Sequence, residues 1–332
     1  MSESVRAALQ PPLEARFGSP LAIERLSLVG GGASMEAWAL DVQTPHGPMA
    51  LLLRRSAGGR IYREALPLEH EHRMLEAASQ AGVLVPRPYG YLSDVAGRPA
   101  FLMQRLEGET VGRRLVQKPE FAAAREALLE QMADQLARIH ALDPASLDFL
   151  PRRNAPNPLS ASLDALEQEL DAVGEPHPAI ELGLFHLRQR QPKPLAHVVC
   201  HGDFRVGNFM VNERGLVGVL DWEFAHFGDP REDLAWPLVR AWRFGMDRLR
   251  LGGIGQPDAF VHRYAELTGR AIAIEELDYF ELLGNVRWAV GSLSQAHRHL
   301  SGEEHSVELA VLGRLASEVE HEILSLLEEG KP

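Results

Sequence analysis

The spacing of apolar and polar residues changes character near residue 105. Before that point, short stretches alternate with a period of two, which is typical of half-buried β-strands, and Gly-rich or Pro-containing turns separate them. This pattern predicts helices over residues 2–17 and 62–80, and strands over residues 21–29, 35–43, 48–55, 89–94 and 98–104.

After residue 109 the apolar residues recur three and four positions apart, as they do on a helix face. This spacing predicts helices over residues 121–140, 160–174, 177–190, 231–243, 257–268, 275–299 and 305–328. One β-prone island interrupts them at 196–220. The pattern therefore predicts an α+β protein, with a small antiparallel β-rich domain over 1–104 and a larger, mostly helical domain over 105–332 that contains a central β-hairpin island.

Composition narrows the class of protein. The chain has 332 residues, of which 45% are hydrophobic and 24% charged, and these values are ordinary for a globular protein. Cys200 is the one cysteine, so an intrachain disulfide is excluded. The N-terminus has no signal-peptide pattern, and no apolar run reaches the roughly 18 residues of a membrane span. We expect a cytoplasmic protein without membrane association.

The charge is unevenly distributed along the chain. The net charge is −12, yet residues 1–108 hold 11 Arg and 11 acidic residues, so the whole excess lies in 109–332. Binding to a nucleic-acid backbone requires clustered Lys and Arg. We therefore expect no nucleic-acid partner, and the sequence leaves the oligomeric state open.

The β-prone island carries the strongest candidate chemistry. It contains His201-Gly202-Asp203, with Asn208 five residues after Asp203, and Asp221 at the end of the apolar run LVGVL. A strand followed by D-x-x-x-x-N turns both polar side chains to one side, where the second carboxylate can join them. Phosphoryl transfer needs such a set, because one Asp orients and accepts the proton of the attacking hydroxyl while an Asn and another Asp hold Mg²⁺.

The same residues carry a family resemblance. The strings HGDFRVGN (201–208) and GVLDWE (218–223) resemble the catalytic signature of the aminoglycoside phosphotransferase/choline kinase family, which comprises small-molecule relatives of the protein kinases. The strings GDPREDLAW (228–236), LARIHALDP (136–144) and LLLRR (51–55) extend the resemblance over nearly the whole chain. It is nearest to a branch of unassigned substrate that also occurs beside acyl-CoA dehydrogenase domains.

The resemblance implies a protein-kinase-like, two-lobed fold and a small-molecule kinase. Its partners would be ATP or GTP as co-substrate, Mg²⁺ as cofactor, and a small molecule with a hydroxyl group as acceptor. By this resemblance Asp203 is the catalytic base, Asn208 and Asp221 bind Mg²⁺, and His201 holds the loop together.

A glycine-rich turn, GGGAS at 30–34, lies between two predicted strands. Successive glycines let backbone N–H groups approach phosphates closely, so Gly30, Gly31 and Gly32, with the hydroxyl of Ser34, are candidate phosphate contacts. The turn lacks the G-K-[ST] ending and following helix of a P-loop. An ordinary hairpin turn is the alternative interpretation.

The kinase fold also requires a strand-borne cation that pairs with a Glu on a helix. No lysine precedes Lys118, so Arg54 in LLLRR is the candidate. Arg keeps the charge but has a larger, planar head. The alternative is a solubilising Arg on an edge strand. In the helix over 62–80, the resemblance selects Glu71 as the partner, with Glu64 and Glu69 as rivals.

The stretch FLMQRLEGE (101–109) resembles the hinge between the lobes of the family. There the backbone groups from Gln104 to Leu106 would bind the edge of the nucleotide base. The alternative is an ordinary exit from a strand into a loop.

Two other functions remain open at this point. A nucleotide-binding pseudokinase with a regulatory or scaffold role is favoured only by Arg54 standing in place of Lys. A metal hydrolase would need more His ligands than the island provides. A protein kinase is disfavoured because no A-P-E segment follows Asp221. Trp and Arg side chains after residue 235 are candidates for binding the acceptor, whose identity the sequence does not give.

Overall fold

The structure is a computed structural model that describes residues 2–31, 35–58, 65–152 and 157–330. The chain divides into two compact units. The first unit comprises residues 1–108, 142–150 and 217–225, and the second comprises 109–141, 151–216 and 226–332.

The first unit is a small sheet with two helices. In chain order its elements are α1 (Ser2–Phe17), β1 (Ala22–Gly31), β2 (Met35–Thr44), β3 (Gly47–Ser56), α2 (Leu68–Gln80), β4 (Pro88–Val95) and β5 (Arg98–Gln104). The strands form one antiparallel sheet in the order β1-β2-β3-β5-β4. The strands predicted from the alternating pattern are therefore present, each displaced by no more than two residues at its ends.

The core of the first unit lies between α1 and the sheet. Val5, Leu9 and Leu13 are four residues apart, so they share one face of α1, and all three are fully buried. They pack in one cluster with Leu51 and Leu53 of β3. Burying each Leu side chain stabilises the fold by roughly 1.5–3 kcal/mol, so this layer fixes which face of β3 points inward.

The second unit is mostly helical. Its elements are α3 (Gly112–Gln117), α4 (Ala122–His140), α5 (Pro158–Val173), α6 (Pro178–Gln189), β6 (Val198–Cys200), β7 (Phe209–Asn212), β8 (Gly215–Val219), β9 (His226–Gly228), α7 (Pro230–Ala235), α8 (Pro257–Thr268), α9 (Ile274–Leu300) and α10 (Val307–Glu328). β7 pairs with β8 as a hairpin, and β6 pairs with β9. The division between the two units falls inside β8, after Leu216.

The long helix α9 forms the centre of the helical unit, because α5, α6, α7 and α10 all pack against it. The α+β class predicted from the sequence is confirmed. Within the described ranges, every helix is too short or too polar to cross a membrane.

Two predicted helices differ from the structure. The helix predicted over 62–80 begins only at Leu68, as α2, with Pro67 at its N-cap, and a proline disfavours helical backbone in the residue before it. The sequence predicts a helix over 231–243, but α7 ends at Ala235 and two 3₁₀ turns follow, Trp236–Leu238 and Arg240–Arg243. Pro237 has no N–H to donate, which favours a stop at this point. Trp236 therefore stands at the C-terminal end of α7, where the 3₁₀ turn begins.

Candidate active site

The strand β3 presents its two adjacent arginines to opposite faces of the sheet. Leu51, Leu53 and Arg55 share the buried face, so Leu52 and Arg54 face the other way, as the two-residue period of a strand requires. β3 is a central strand, paired with β2 and β5. The alternative interpretation of Arg54 as an edge-strand residue is therefore wrong.

The guanidinium of Arg54 contacts three carboxylates of the first unit. Its Nε lies 3.2 Å from Glu71 Oε1, and its Nη2 lies 2.7 Å from Asp221 Oδ1 and 3.8 Å from Glu223 Oε2. The side chains of Arg54 and Glu71 are 18% and 4% exposed. Of the three glutamates considered as the partner of Arg54, the structure places Glu71 beside it. Glu64 lies outside the described residues.

Arg55 has a structural environment instead. Its Nη1 donates to Glu36 Oε2 at 2.7 Å, and its Nε donates to the carbonyl of Val95 at 2.8 Å. The indole of Trp38 also donates to Glu36 Oε2, at 2.9 Å. These bonds hold Arg55 in the interior of the sheet, so Arg54 alone of the two is available for a ligand.

The backbone of the first unit positions Asp221. The N–H of Val219 donates to the carbonyl of Leu84 at 2.7 Å, and the N–H of Leu66 donates to the carbonyl of Glu223 at 2.7 Å. Between these two anchors Asp221 has a φ of 63°. This left-handed conformation is disfavoured for most side chains but tolerated by Asp, and it commonly marks functional sites.

A cavity of about 290 Å³ lies beside this cluster in the first unit. Ala37, Leu52 and Met103 contribute apolar walls, and Arg54, Asp221 and Glu223 contribute charge. A pocket that combines apolar walls with a few convergent charged groups is typical of a small-molecule site.

The charges in the cluster shift the ionisation of its buried members. Burial raises the pKa of Glu71 to about 8; the Arg54 charge lowers it in part, and the negative charges of Asp221 and Glu223 add to the rise. For Arg54, burial acts to lower the pKa, but the three carboxylates outweigh burial and raise it. Arg54 therefore stays charged, while Glu71 can bind a proton near neutral pH.

The other predicted nucleotide contacts are only partly described. Gly30 lines the cavity and Gly31 ends β1, whereas Gly32 and Ser34 lie outside the described residues.

Gln104 and Leu106 follow the end of β5. The N–H of Gln104 donates to the carbonyl of Arg87 at 2.8 Å, and the N–H of Arg105 donates to that of Ala50 at 3.1 Å. In the described part of the chain, the N–H of Leu106 has no backbone acceptor. Of the three predicted hinge residues, Leu106 is the one with a backbone donor available to a base.

In the second unit, Asp233 holds the loop that carries Asp203. The N–H of His201 donates to Asp233 Oδ2 at 2.6 Å, and the N–H of Gly202 donates to Asp233 Oδ1 at 2.9 Å. Burial acts to raise the pKa of Asp233, but the hydrogen bond and charge of His140, with the N–H of Gly202, outweigh burial and lower it. A carboxylate whose pKa is lowered thus fixes the backbone next to Asp203.

His140 extends the same network. Its Nε2 lies 3.3 Å from Asp233 Oδ2 and its Nδ1 lies 2.7 Å from the hydroxyl of Tyr264. An ionised carboxylate only accepts, so Nε2 donates to it, while Nδ1 shares a hydrogen bond with the hydroxyl of Tyr264. The ligand atoms of His140, Cys200 and Asp233 lie within 4.8 Å of one another, a grouping that the sequence did not reveal. Both nitrogens of His140 and both oxygens of Asp233 are already used in internal hydrogen bonds.

Three donors surround the carboxylate of Asp203. Trp236 Nε1 donates to Oδ1 at 2.6 Å, and Arg205 Nε donates to the same oxygen at 2.8 Å. Asn208 Nδ2 donates to Oδ2 at 2.5 Å and to the backbone carbonyl of Asp203 at 3.0 Å. Because these two bonds use both amide hydrogens of Asn208, its own carbonyl oxygen is directed elsewhere.

Sequence reasoning missed two members of these clusters. Arg205 occupies one of the unspecified positions of D-x-x-x-x-N, so no pattern singled it out. Glu223 ends the string GVLDWE, in which only Asp221 was assigned a role, although a separation of two residues is compatible with both carboxylates reaching Arg54.

Comparison with known proteins identifies what this arrangement resembles. Residues 25–277 match the profile of the phosphotransferase enzyme family. Acyl-CoA dehydrogenase family member 11 of Gallus gallus is 27% identical over 276 residues, which is 77% of this chain. The chain spans only 35% of the length of that relative.

Solved structures share the fold. A Ralstonia eutropha protein assigned to the aminoglycoside phosphotransferases superposes with a TM-score of 0.74 at 20% identity, over 98% of both chains. Spectinomycin phosphotransferase, in complex with ADP and spectinomycin, gives a TM-score of 0.64 at 13% identity, over 96% of this chain and 98% of the other. The protein-kinase-like fold predicted from the sequence is confirmed.

Proposed function

The chain belongs to the phosphotransferase enzyme family, and on that premise we propose that it transfers the γ-phosphoryl group of ATP or GTP to a hydroxyl group of a small molecule. In this reaction the hydroxyl oxygen of the acceptor bonds to the γ-phosphorus, and Asp203 accepts the proton of that hydroxyl. The bond from that phosphorus to the β-phosphate oxygen breaks, and the nucleoside diphosphate leaves. Within this proposal, residues 1–104 bind the nucleotide, and residues 105–332 supply the catalytic loop and bind the acceptor.

The donor atoms present fit Mg²⁺, which prefers oxygen ligands. Asp221 offers a carboxylate beside Arg54, and Asn208 has a carbonyl oxygen left after both amide hydrogens bond to Asp203. These two residues would hold the ion, which when bound neutralises negative charge on the phosphates.

The observation that carries the proposal is the setting of Arg54. A partly buried guanidinium, held between Glu71 and Asp221 and lining a cavity, is a fixed cation at the position where the family needs one. Arg binds phosphate oxygens through paired N–H donors, so it can fill the role that Lys fills elsewhere. The ADP in the structure of spectinomycin phosphotransferase supports a nucleotide as the co-substrate.

The surroundings of Asp203 in the second unit bear on the acceptor. The guanidinium of Arg205 lies over the ring of Trp242 at 3.9 Å, and this ring lies 4.7 Å from that of Trp288. Glu281, an acidic residue of the same unit, is buried, and its Oε1 forms an ion pair with Arg243 Nη2 at 2.8 Å. The aromatic rings favour an acceptor with a planar or apolar part. The positive charge of Arg205 disfavours a polycationic aminoglycoside, because like charges repel.

Isothermal titration of ATP and of GTP, with and without Mg²⁺, tests the nucleotide site. Asp221→Ala should lose the Mg²⁺-dependent part of binding, and Asp148→Ala, whose side chain is 83% exposed in the same unit, is the matched control. No binding of either nucleotide by folded wild-type protein would refute the proposal. A screen over hydroxyacyl-CoAs, amino alcohols, sugars and aminoglycosides then identifies the acceptor.

A pseudokinase role is the second candidate, because Arg54 replaces the usual Lys. It predicts nucleotide binding without turnover across the whole acceptor panel. Slow nucleotide hydrolysis that Asp203→Asn abolishes would exclude it.

A further inference from the structure

We propose that Trp236, together with Arg205, holds the carboxylate of Asp203 so that only Oδ2 can take the acceptor's proton. Trp236 is then a positioning residue, acting through Asp203. This inference rests on the proposed function, in which Asp203 is the catalytic base.

The hydrogen bonds of Asp203 distinguish its two oxygens. Each carboxylate oxygen accepts about two hydrogen bonds. Oδ1 receives the indole N–H of Trp236 at 2.6 Å and the Nε–H of Arg205 at 2.8 Å, so it is fully used. Oδ2 receives one bond, from Asn208, among the residues that the structure describes. One acceptor position remains on the carboxylate, and it belongs to Oδ2.

Trp236 is fixed by its place in the fold. It begins the 3₁₀ turn that follows α7, and its ring lies 5.6 Å from the ring of Trp242. α9 packs against this turn, and a Cβ at Gly284 would lie 2.6 Å from a methyl group of the neighbouring Val239 and 3.5 Å from Trp236 Cε3, which is an ordinary contact distance. The indole donor therefore has little freedom to follow Asp203 if the carboxylate turns.

Arg205 is fixed by the same aromatic cluster. Its guanidinium stacks on Trp242 at 3.9 Å. The left-handed Gly207 (φ 110°) leaves space for it, because a Cβ at that position would lie 2.6 Å from Arg205 Nη1. Two donors restrained by one ring system thus meet at one oxygen, which prevents the carboxylate from exchanging its two oxygens.

The indole donor can be removed while the charged guanidinium of Arg205 stays in place. Trp236→Phe keeps a ring in the cluster and removes only the N–H donor. Oδ1 then loses one of its two bonds and the carboxylate can rotate. Since small misplacements of a reacting group reduce rates by up to about 100-fold, we expect kcat to fall about 10- to 100-fold with an unchanged KM for nucleotide.

Indole NMR tests the contact without any enzymatic assay. The chain has five tryptophans, so ¹⁵N-tryptophan labelling gives five indole signals, and Trp236→Phe assigns the relevant one. Asp203→Asn should move the Trp236 signal, because a neutral amide is a weaker acceptor than a carboxylate. The Trp38 signal should stay in place, because Trp38 donates to the carboxylate of Glu36. An unmoved Trp236 signal in Asp203→Asn would overturn the inference.

Hydrolysis of Mg-ATP, with water as the acceptor, tests the consequence for turnover. Trp38→Phe is the control, since it also removes an indole-to-carboxylate bond but in the first unit. If Asp203→Asn abolishes hydrolysis and Trp236→Phe matches wild type, the inference fails while the proposed function stands. If Asp203→Asn leaves hydrolysis unchanged, the proposed function itself fails. Should Trp236→Phe not fold, sequential NMR assignment of the wild-type protein identifies the Trp236 signal, and the comparison with Asp203→Asn still decides the contact.

Discussion

Arg54→Met offers a quantitative test of the first-unit cluster. Met has a similar length and no charge, so the substitution removes the guanidinium while filling much of its space. The buried carboxylate of Glu71, 4% exposed, then loses its cation at 3.2 Å, and Asp221 loses its partner at 2.7 Å.

Two magnitudes follow from these contacts. Removing one partner of a buried ion pair costs about 3–5 kcal/mol of stability, and the value should lie near 3 because Glu71, with a pKa of about 8, can take up a proton. A hydrogen bond to a charged group contributes about 1.5–3 kcal/mol. Losing the phosphate contact should therefore weaken ATP binding about 10- to 100-fold.

Urea unfolding and titration calorimetry measure the two effects separately. Arg25→Met is the control, because Arg25 lies on the same sheet in an exposed pair with Asp41, which should contribute about 1 kcal/mol or less. Adding Glu71→Gln to Arg54→Met should recover part of the lost stability. If the double variant is as unstable as Arg54→Met, the unpaired Glu71 is not the cause and the electrostatic reasoning is refuted.

Three further predictions concern other parts of the molecule. Folded Glu71 holds its proton up to a pKa of about 8, well above the ordinary value of 4.5, so the free energy of unfolding should fall as pH rises from about 5 to 8. Urea unfolding at several pH values should show a smaller decrease in Glu71→Gln; an equal decrease would contradict the assignment. Asp233→Asn should cost about 1–3 kcal/mol and accelerate hydrogen exchange at the amides of residues 201 and 202. The two N–H groups bond to different oxygens of Asp233, and the amide nitrogen that replaces one of these oxygens cannot accept a hydrogen bond; unchanged exchange would contradict this. Leu9→Ala should cost about 2–5 kcal/mol in thermal or urea unfolding, against little for Leu300→Ala, which is 75% exposed; equal losses would contradict the assigned core.

Much of the first unit could be predicted because its strands alternate cleanly. The apolar period of two places Leu51 and Leu53 on the inner face of β3, and this in turn places Arg54 on the opposite face. The absence of lysine before residue 118 then pointed to Arg54 as the cation. Local spacing and chemistry together were sufficient to place Arg54 on the cavity side of the sheet, and its role as a phosphate contact stays a prediction.

Contacts between distant residues could not be predicted in the same way. Trp236 and Asp203 are 33 positions apart, and their contact depends on the helix break at Pro237 and on the packing around Gly284. The strand β9 has three residues, too few to show a period. Segments 142–150 and 217–225 join the first unit only through tertiary contacts, which no local pattern encodes.

The cluster around Arg54 also has a consequence for the order in which ligands arrive. When all its groups are ionised, one guanidinium faces three carboxylates, which leaves a surplus of negative charge next to the cavity. A free nucleotide is a polyanion and is repelled by this surplus, whereas a nucleotide already complexed with a divalent cation is repelled much less. If the cavity binds a nucleotide as proposed, the cluster should therefore favour the metal complex during diffusional encounter, and added salt should reduce this kinetic preference by screening the field.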